Sequence, residues 1–361
     1  MARTGFRGCI GVCALLAGFV HSPSAFAERF EFVALGDTAY NLPRDYPIYS
    51  SLIQRINSAK PAFSIHVGDT WGALECSETE HRRILGFFQD YRQPVIYTPG
   101  DNEWVDCVKP EQVPMVQRYL SGQATREDFG VLQDGIGLDG GYERRLSADG
   151  LSSLKTIRSV FFATDRSLGG KTIKLTRQAD VSEHKDMVEN AMWDKGGVSF
   201  GTVHVSGSGN NFFINDTARA MEAIGRNKAN IDWLKQLFAS ATQKQSKAVV
   251  IALHAGMFTD EDGGDFSGRA IRGGSDGPFH WMALAIRDLG AKFGKPVLLI
   301  NGDFHELVID RPFMVSGGES EAPKYANITR LQVYGAPEIK AVKVSVDTDT
   351  PWIFGFEPLH D

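Results

Sequence analysis

Short runs of apolar, largely β-branched residues recur along the chain, and several of them stop at the same dipeptide. Phe30 to Leu35, Ala62 to Val67 and Pro94 to Thr98 each read as a buried strand and lead into Gly36-Asp37, Gly68-Asp69 and Gly100-Asp101. Much later Pro296 to Asn301 leads into Gly302-Asp303, and Ala248 to Leu253 ends at His254. Between these runs the apolar spacing lengthens to that of a helix, over Tyr46 to Ser58, Glu78 to Tyr91, Thr217 to Ala241 and Pro278 to Lys292. Strands separated by a single helix imply parallel neighbours with right-handed crossovers. The pattern is that of an α/β protein.

Two stretches depart from this alternation. From Lys109 to about Lys195 the chain is helical and irregular with many glycines, including helical patterns at Tyr119 to Gly140 and Leu151 to Phe162, and reads as an insertion between core elements. After the strand Gly197 to Val205 and the later α/β units, strands near Asn327 to Val333 and Ala341 to Val346 read as an antiparallel closure.

Ligands of open α/β sheets sit beyond the carboxyl ends of the strands. Repetition of strand-Gly-Asp therefore gathers acids at one rim. Two carboxylates at about 4 Å repel by about 4 kcal/mol at an effective dielectric of 20, so such a rim calls for cations, and divalent metals supply them.

The first 27 residues read as an address. Arg3 and Arg7 precede an apolar run from Ile10 to Val20, and Ala25-Phe26-Ala27 is a small-x-small processing site. No later segment approaches the roughly 20 apolar residues of a membrane span. The expectation is an exported, periplasmic or secreted protein beginning near Glu28 and forming one domain over residues 28–361, with the insertion at about 109–195. Loss of Arg3 and Arg7 moves the formal charge from -6 to -8, which argues against nucleic acid as a partner. Export also removes Cys9 and Cys13 and leaves Cys76 and Cys107, each a few residues beyond a Gly-Asp. Parity and an oxidising compartment favour a disulfide over two thiols. It would close a loop of about 30 residues, worth about 3 to 4 kcal/mol in the chain-entropy model.

The ordered set Asp37, Gly68-Asp69, Gly100-Asp101-Asn102-Glu103, His254 and Gly302-Asp303-Phe304-His305 resembles the calcineurin-like metallophosphoesterase signature, over roughly Phe30 to His305. The resemblance implies a four-layer α/β/β/α sandwich with two mixed sheets and a two-metal centre at the strand ends. It makes Asp69 the carboxylate shared by both metals, with Asp37 and His305 on one and Asp101, His254 and Asp303 on the other. The implied activity is hydrolysis of a small phosphate ester by attack of a metal-bound hydroxide.

Three departures from that signature matter. Ala39 stands where the family has a histidine, Asp101-Asn102 where it has Asn-His, and Asp303 where it has the first histidine of Gly-His-x-His. Oxygen donors replace imidazoles, which favours Mn, Fe or Mg ahead of Zn or Ca. Alanine offers no donor, so one metal site is expected to be the weaker unless Tyr40 substitutes. Asn102, the counterpart of a catalytic histidine, can donate a hydrogen bond but cannot shuttle a proton, a role worth about 10² to 10⁴-fold. Glu103, freed from orienting a histidine, is a candidate for binding metal or water, or else a helix-start carboxylate.

Other polar residues have plainer first readings. His66 lies inside a strand, where a hydrogen-bonded structural histidine is the common case. His204 and the run Ser206-Gly207-Ser208-Gly209-Asn210-Asn211 read as an ordinary turn, with an anion-binding nest as the alternative. Arg269 and Arg272, in a glycine-rich loop with Glu261, Asp262 and Asp265, are the candidates for gripping a phosphate. Trp71 and Trp104 read as packing. The leading function is a metal-dependent phosphoesterase weakened by Ala39 and Asn102; the alternative is a non-catalytic relative acting as a binding or structural protein. The fold alone does not decide between them.

Overall fold

A computed structural model describes residues 28–72, 76–120, 123, 125, 149–213, 215–258, 278–314 and 322–359, besides residue 1. Residues 2–27, Glu261, Asp262, Asp265, Arg269, Arg272 and most of Tyr119 to Gly140 lie outside the described residues.

The described strands are β1 (Phe30–Leu35), β2 (Ser64–His66), β3 (Val95–Tyr97), β4 (Thr176–Arg177), β5 (Ala191–Lys195), β6 (Val198–Thr202), β7 (Ala248–Ala252), β8 (Val297–Asn301), β9 (Val308–Asp310), β10 (Ile328–Gln332), β11 (Ala341–Val346) and β12 (Phe354–Leu359). They form two mixed sheets, ordered β12-β11-β1-β2-β3 and β4-β5-β6-β7-β8-β10-β9. In the first, β1, β2 and β3 are parallel, β11 pairs antiparallel with β1, and β12 pairs antiparallel with β11. In the second, β6, β7, β8 and β10 are parallel; β5 and β9 flank them antiparallel, and β4 pairs antiparallel with β5.

Helices cover the outer faces. The described α-helices are α1 (Tyr46–Ala59), α2 (Glu78–Gln89), α3 (Val113–Leu120), α4 (Gly150–Phe161), α5 (Thr217–Gln243) and α6 (His280–Phe293), besides a single turn over Gln178–Val181; α1, α2, α4, α5 and α6 supply the core contacts. Ser77, Asp149 and Asp216 cap α2, α4 and α5 by accepting from backbone N–H groups in the first turn. Gly294 ends α6 in the left-handed conformation.

Side-chain alternation along each strand builds three apolar layers. Phe32 and Ala34 of β1 meet Phe200, Val250, Ala252 and Leu298 between the sheets. Val33 and Leu35, on the opposite face of β1, pack with Leu52, Ile56, Ile84, Phe88, Leu154 and Ile157 of α1, α2 and α4. Val249 and Ile251 of β7 pack with Trp233, Leu237, Met282 and Ile286 of α5 and α6. Two sheets face to face with helices outside make the α/β/β/α sandwich, and double-sided burial explains the near-continuous apolar runs of the central strands.

Two sequence expectations change. The described part of 109–195 is not only helical and irregular: β4 and β5 extend the second sheet, and α4 is core. Strand β5 carries only Ala191, Met192 and Trp193 before Asp194 and Lys195, too short a pattern to read. The tail is also not wholly antiparallel, because β10 pairs parallel with β8 and only β11 and β12 close the first sheet antiparallel. The outer strand β9, antiparallel to β10, absorbs the reversal between β8 and β10.

Candidate metal centre

Both sheets present the carboxyl ends of their parallel strands to one rim. Asp37, Asp69 and Asp101 lie beyond β1, β2 and β3, His254 beyond β7, and Asp303 and His305 beyond β8. Two bonds tie the rims together: His254 Nδ1 to the Val67 carbonyl (2.8 Å) and Asp303 N–H to Asp37 Oδ1 (2.8 Å).

The recurrent glycine has a packing cause. A Cβ on Gly100 would fall 2.0 Å from Asp69 Oδ1, and one on Gly302 2.0 Å from Asp37 Oδ2. Each carboxylate thus lies directly on the backbone of a neighbouring loop. Asp37, Asp69, Asp303 and His305 all take positive φ (49°, 52°, 81° and 61°), which turns their side chains inward. Aspartate tolerates this region better than most side chains. Such strain, of order 1–3 kcal/mol per residue, persists only where the surroundings over-determine it.

The donors form two adjoining groups. His254 Nε2 lies 2.8 Å from Asp101 Oδ1, 3.5 Å from Asp69 Oδ1 and 3.8 Å from Asp303 Oδ1. Asp303 Oδ2 accepts from Gly256 N–H (2.7 Å). On the other side His305 Nε2 lies 3.7 Å from Asp37 Oδ1 and 3.1 Å from the Tyr40 hydroxyl. Tyr40 donates to Asp69 Oδ2, and its ring meets His305 edge-on at 4.9 Å. Ala39 is buried with φ 66°, and it is residue 40 rather than 39 that brings a donor to the centre.

Both imidazoles direct Nδ1 to a backbone carbonyl, His254 to Val67 and His305 to Ala336 (2.9 Å). That leaves Nε2 facing the acids, the tautomer a metal-ligating histidine needs. Asp37 Oδ2, Asp101 Oδ1 and His254 Nε2 are buried without a hydrogen-bond partner among the described residues; the 2.8 Å contact between the last two lacks hydrogen-bond alignment.

Charge follows from this crowding. Burial, reinforced by Asp303 and Asp101, pushes Asp37 up to about 8, and burial with Asp101 pushes Asp303 up to about 6. Burial opposes a charge on His254, but Asp69, Asp101 and Asp37 outweigh it and hold its proton far above the usual range. Asp101 is likewise opposed by burial yet held below the usual carboxylate range by His254. Four acids crowded at a largely buried rim with one imidazolium lack positive charge. Orphaned oxygens, an orphaned nitrogen and the fixed tautomers fit divalent cations, as the groups Asp37/Asp69/His254 and Asp101/His254/Asp303 allow.

The remaining residues brace this centre. Asn102 donates from its backbone to Asp69 Oδ1 (3.1 Å) and from Nδ2 to Asp69 Oδ2 (2.7 Å), the Tyr40 hydroxyl (2.9 Å) and the Trp71 carbonyl (3.1 Å). Glu103 is fully buried and accepts from Thr70 N–H (3.0 Å), Thr70 Oγ1 (3.3 Å), Tyr97 Oη (3.0 Å) and Gly100 N–H (3.0 Å). Cys76 and Cys107 form a disulfide between the loops after β2 and β3. Trp71 and Trp104 are fully buried. His66 is buried, which pushes its pKa down to about 3, and its Nδ1 accepts from Gly68 N–H (3.3 Å). His204 Nδ1 lies 2.8 Å from Glu189 Oε1, outside the centre.

Two residues escaped the sequence reading. Ser208 Oγ lies 2.8 Å from Asp101 Oδ2 and 2.5 Å from Asp106 Oδ2. Nothing marks Asp106 in the sequence except its place in the loop after Gly100-Asp101, and Ser208 sits in the run read as a turn. A third group, Glu183, His184 and Asp232, lies elsewhere and is met by Lys228 and Lys235.

No protein-family profile matches the chain. No curated protein sequence matches it either. Among solved structures it is similar to a dimetal phosphatase from Danio rerio, at 9% identity and TM-score 0.43, over 88% of this chain and 95% of that one. It is similar to GAP50, the anchor in the inner membrane complex of Plasmodium, at 8% identity and TM-score 0.43, over 92% of this chain and 89% of that one. It is also similar to a 5'-nucleotidase from Candida albicans, at 12% identity and TM-score 0.42, over 92% of this chain and 52% of that one.

Proposed function

We propose that the protein is an exported, metal-dependent phosphoesterase acting on a small phosphate ester. The observation that carries this reading is the convergence of four aspartates and two Nε2 atoms from both sheets on one rim, with buried donor atoms left unpartnered. Asp69, Asp101, His254 and Asp303 would hold one divalent cation, and Asp37, Asp69, His305 and Tyr40 a second. Donors rich in oxygen suit Mn, Fe or Mg. Bound there, the cations supply Lewis acidity toward phosphoryl oxygens and an activated water at neutral pH.

The chain's own groups do the positioning. The Val67 and Ala336 carbonyls hold the two imidazoles with Nε2 inward. Asn102 pins Asp69 and Tyr40 through its carboxamide. Glu103 is a positioning residue that keeps the loops bearing Asp69 and Asp101 in register. The disulfide joins those same loops and suits an oxidising compartment. Among the described residues no helix is long and apolar enough to cross a membrane.

The test is metal content and turnover together. Purified mature protein should bind close to two equivalents of Mn²⁺ and hydrolyse an activated aryl phosphate, and Asp69→Ala should lose both. No bound metal and no turnover with Mn²⁺, Fe²⁺, Mg²⁺ or Zn²⁺ would refute the enzyme reading.

A further inference from the structure

The turn after β6 is built more elaborately than a connection requires. Ser208, Gly209, Asn210 and Asn211 all have positive φ (46°, 65°, 53° and 61°), a region that asparagine tolerates better than most residues and serine does not. Buried groups on α5 hold the turn from behind. Arg226 donates to the Asn210 side chain (2.5 Å), the Asn210 carbonyl (2.9 Å) and the His204 carbonyl (3.0 Å). Arg219 donates to Asn211 Oδ1 (2.5 Å) and the Val105 carbonyl (3.1 Å). Glu222 accepts from Asn211 Nδ2 (2.8 Å) and Arg226 Nε (2.6 Å).

This scaffold presses the front of the turn against the metal centre. A Cβ on Gly207 would fall 2.5 Å from Asp303 Oδ1 and 2.9 Å from each Asp101 oxygen, so backbone abuts both carboxylates. Ser208, itself exposed, reaches back to place Oγ 2.8 Å from Asp101 Oδ2 and 2.5 Å from Asp106 Oδ2, so its one proton is shared between the two carboxylates. A hydrogen bond at that oxygen leaves Oδ1, which faces His254, free to ligate.

We infer that Ser208 is a positioning residue that orients Asp101 within the donor group of Asp69, Asp101, His254 and Asp303, and that Gly207 is required for the same carboxylates to fit. The inference rests on the metal reading of that group. It assigns the turn a role at one cation only, because among the described residues its front meets Asp101, Asp106 and Asp303 rather than Asp37, His305 or Tyr40.

The experiment is Mn²⁺ titration of the mature protein, followed by calorimetry and by electron paramagnetic resonance of the coupled pair. Ser208→Gly removes the hydroxyl and suits φ 46°, so the turn survives. Loss of an outer-shell partner lowers metal affinity about 10–100-fold. One of two Mn²⁺ ions should weaken by that factor, the other keep its affinity, and the melting temperature of the metal-free protein stay put. Gly207→Ala should abolish the weakened site and leave a single uncoupled Mn²⁺ signal. Wild-type affinity at both sites in Ser208→Gly would overturn the inference. Equal weakening of both sites with a lower metal-free melting temperature would also overturn it, by showing a general structural role. Wild-type protein that binds no Mn²⁺ would overturn the metal reading and this inference together.

Discussion

Glu103 offers the sharpest test of how the centre is built. Its carboxylate accepts from two backbone amides, Thr70 and Gly100, and two hydroxyls, Thr70 and Tyr97, in a fully buried position. Glu103→Gln keeps the volume but turns one acceptor atom into a donor, which then faces the donors on its side. A buried donor left unsatisfied costs about 1–3 kcal/mol, and hydrogen bonds to a charged acceptor are the stronger ones. The expected loss is therefore about 2–4 kcal/mol, and more for Glu103→Ala, which strands both amides and opens a void. With a urea m-value of about 3 kcal/mol/M, a loss of about 3 kcal/mol moves the unfolding midpoint down by about 1 M. Because Thr70 and Gly100 adjoin Asp69 and Asp101, metal content should fall in parallel. A variant with the wild-type urea midpoint and metal content but a collapsed kcat would refute the bracing argument and return Glu103 to the chemistry.

Other expectations follow from the same contacts. Glu189 is opposed by burial but held at about 2 by the His204 hydrogen bond and the two-pronged Arg158 contact, against an ordinary 4.5. Its contribution is complete above about pH 4.5 and disappears as pH falls toward 2, a loss of about 3 kcal/mol at 1.36 kcal/mol per unit; acid unfolding of Glu189→Gln should lack that slope. Replacing both Cys76 and Cys107 by serine should cost about 3 to 4 kcal/mol in thermal or urea unfolding, and a midpoint equal to wild type would contradict it. If Asn102 supplies no proton, the rate should fall steeply as leaving-group pKa rises across aryl phosphates. A flat dependence would assign proton donation to another residue.

What could be read from the sequence was whatever is local or repeated. Strands buried on both faces write themselves as unbroken apolar runs, so β1, β7 and β8 were legible, and the Gly-Asp after a run exposed Asp37, Asp69, Asp101 and Asp303 as acids on one rim. Short outlying strands with polar ends, β5 one place in from the edge and β9 at the edge, carried no such run, and the parallel seat of β10 depended on which neighbour it met. The tertiary structure alone decided which acids share which imidazole, since His254 comes from one sheet and Asp69 from the other. It alone brought Tyr40 to the centre in place of Ala39, through left-handed backbone at Asp37 and Ala39 that no periodicity predicts. It alone set Ser208 on Asp101 across 107 residues of sequence. Residue identity and spacing fix the inventory of donors and the strands that carry them. Their convergence depends on the packing of two sheets, where Gly100, Gly302 and Gly207 let backbone lie directly against the carboxylates.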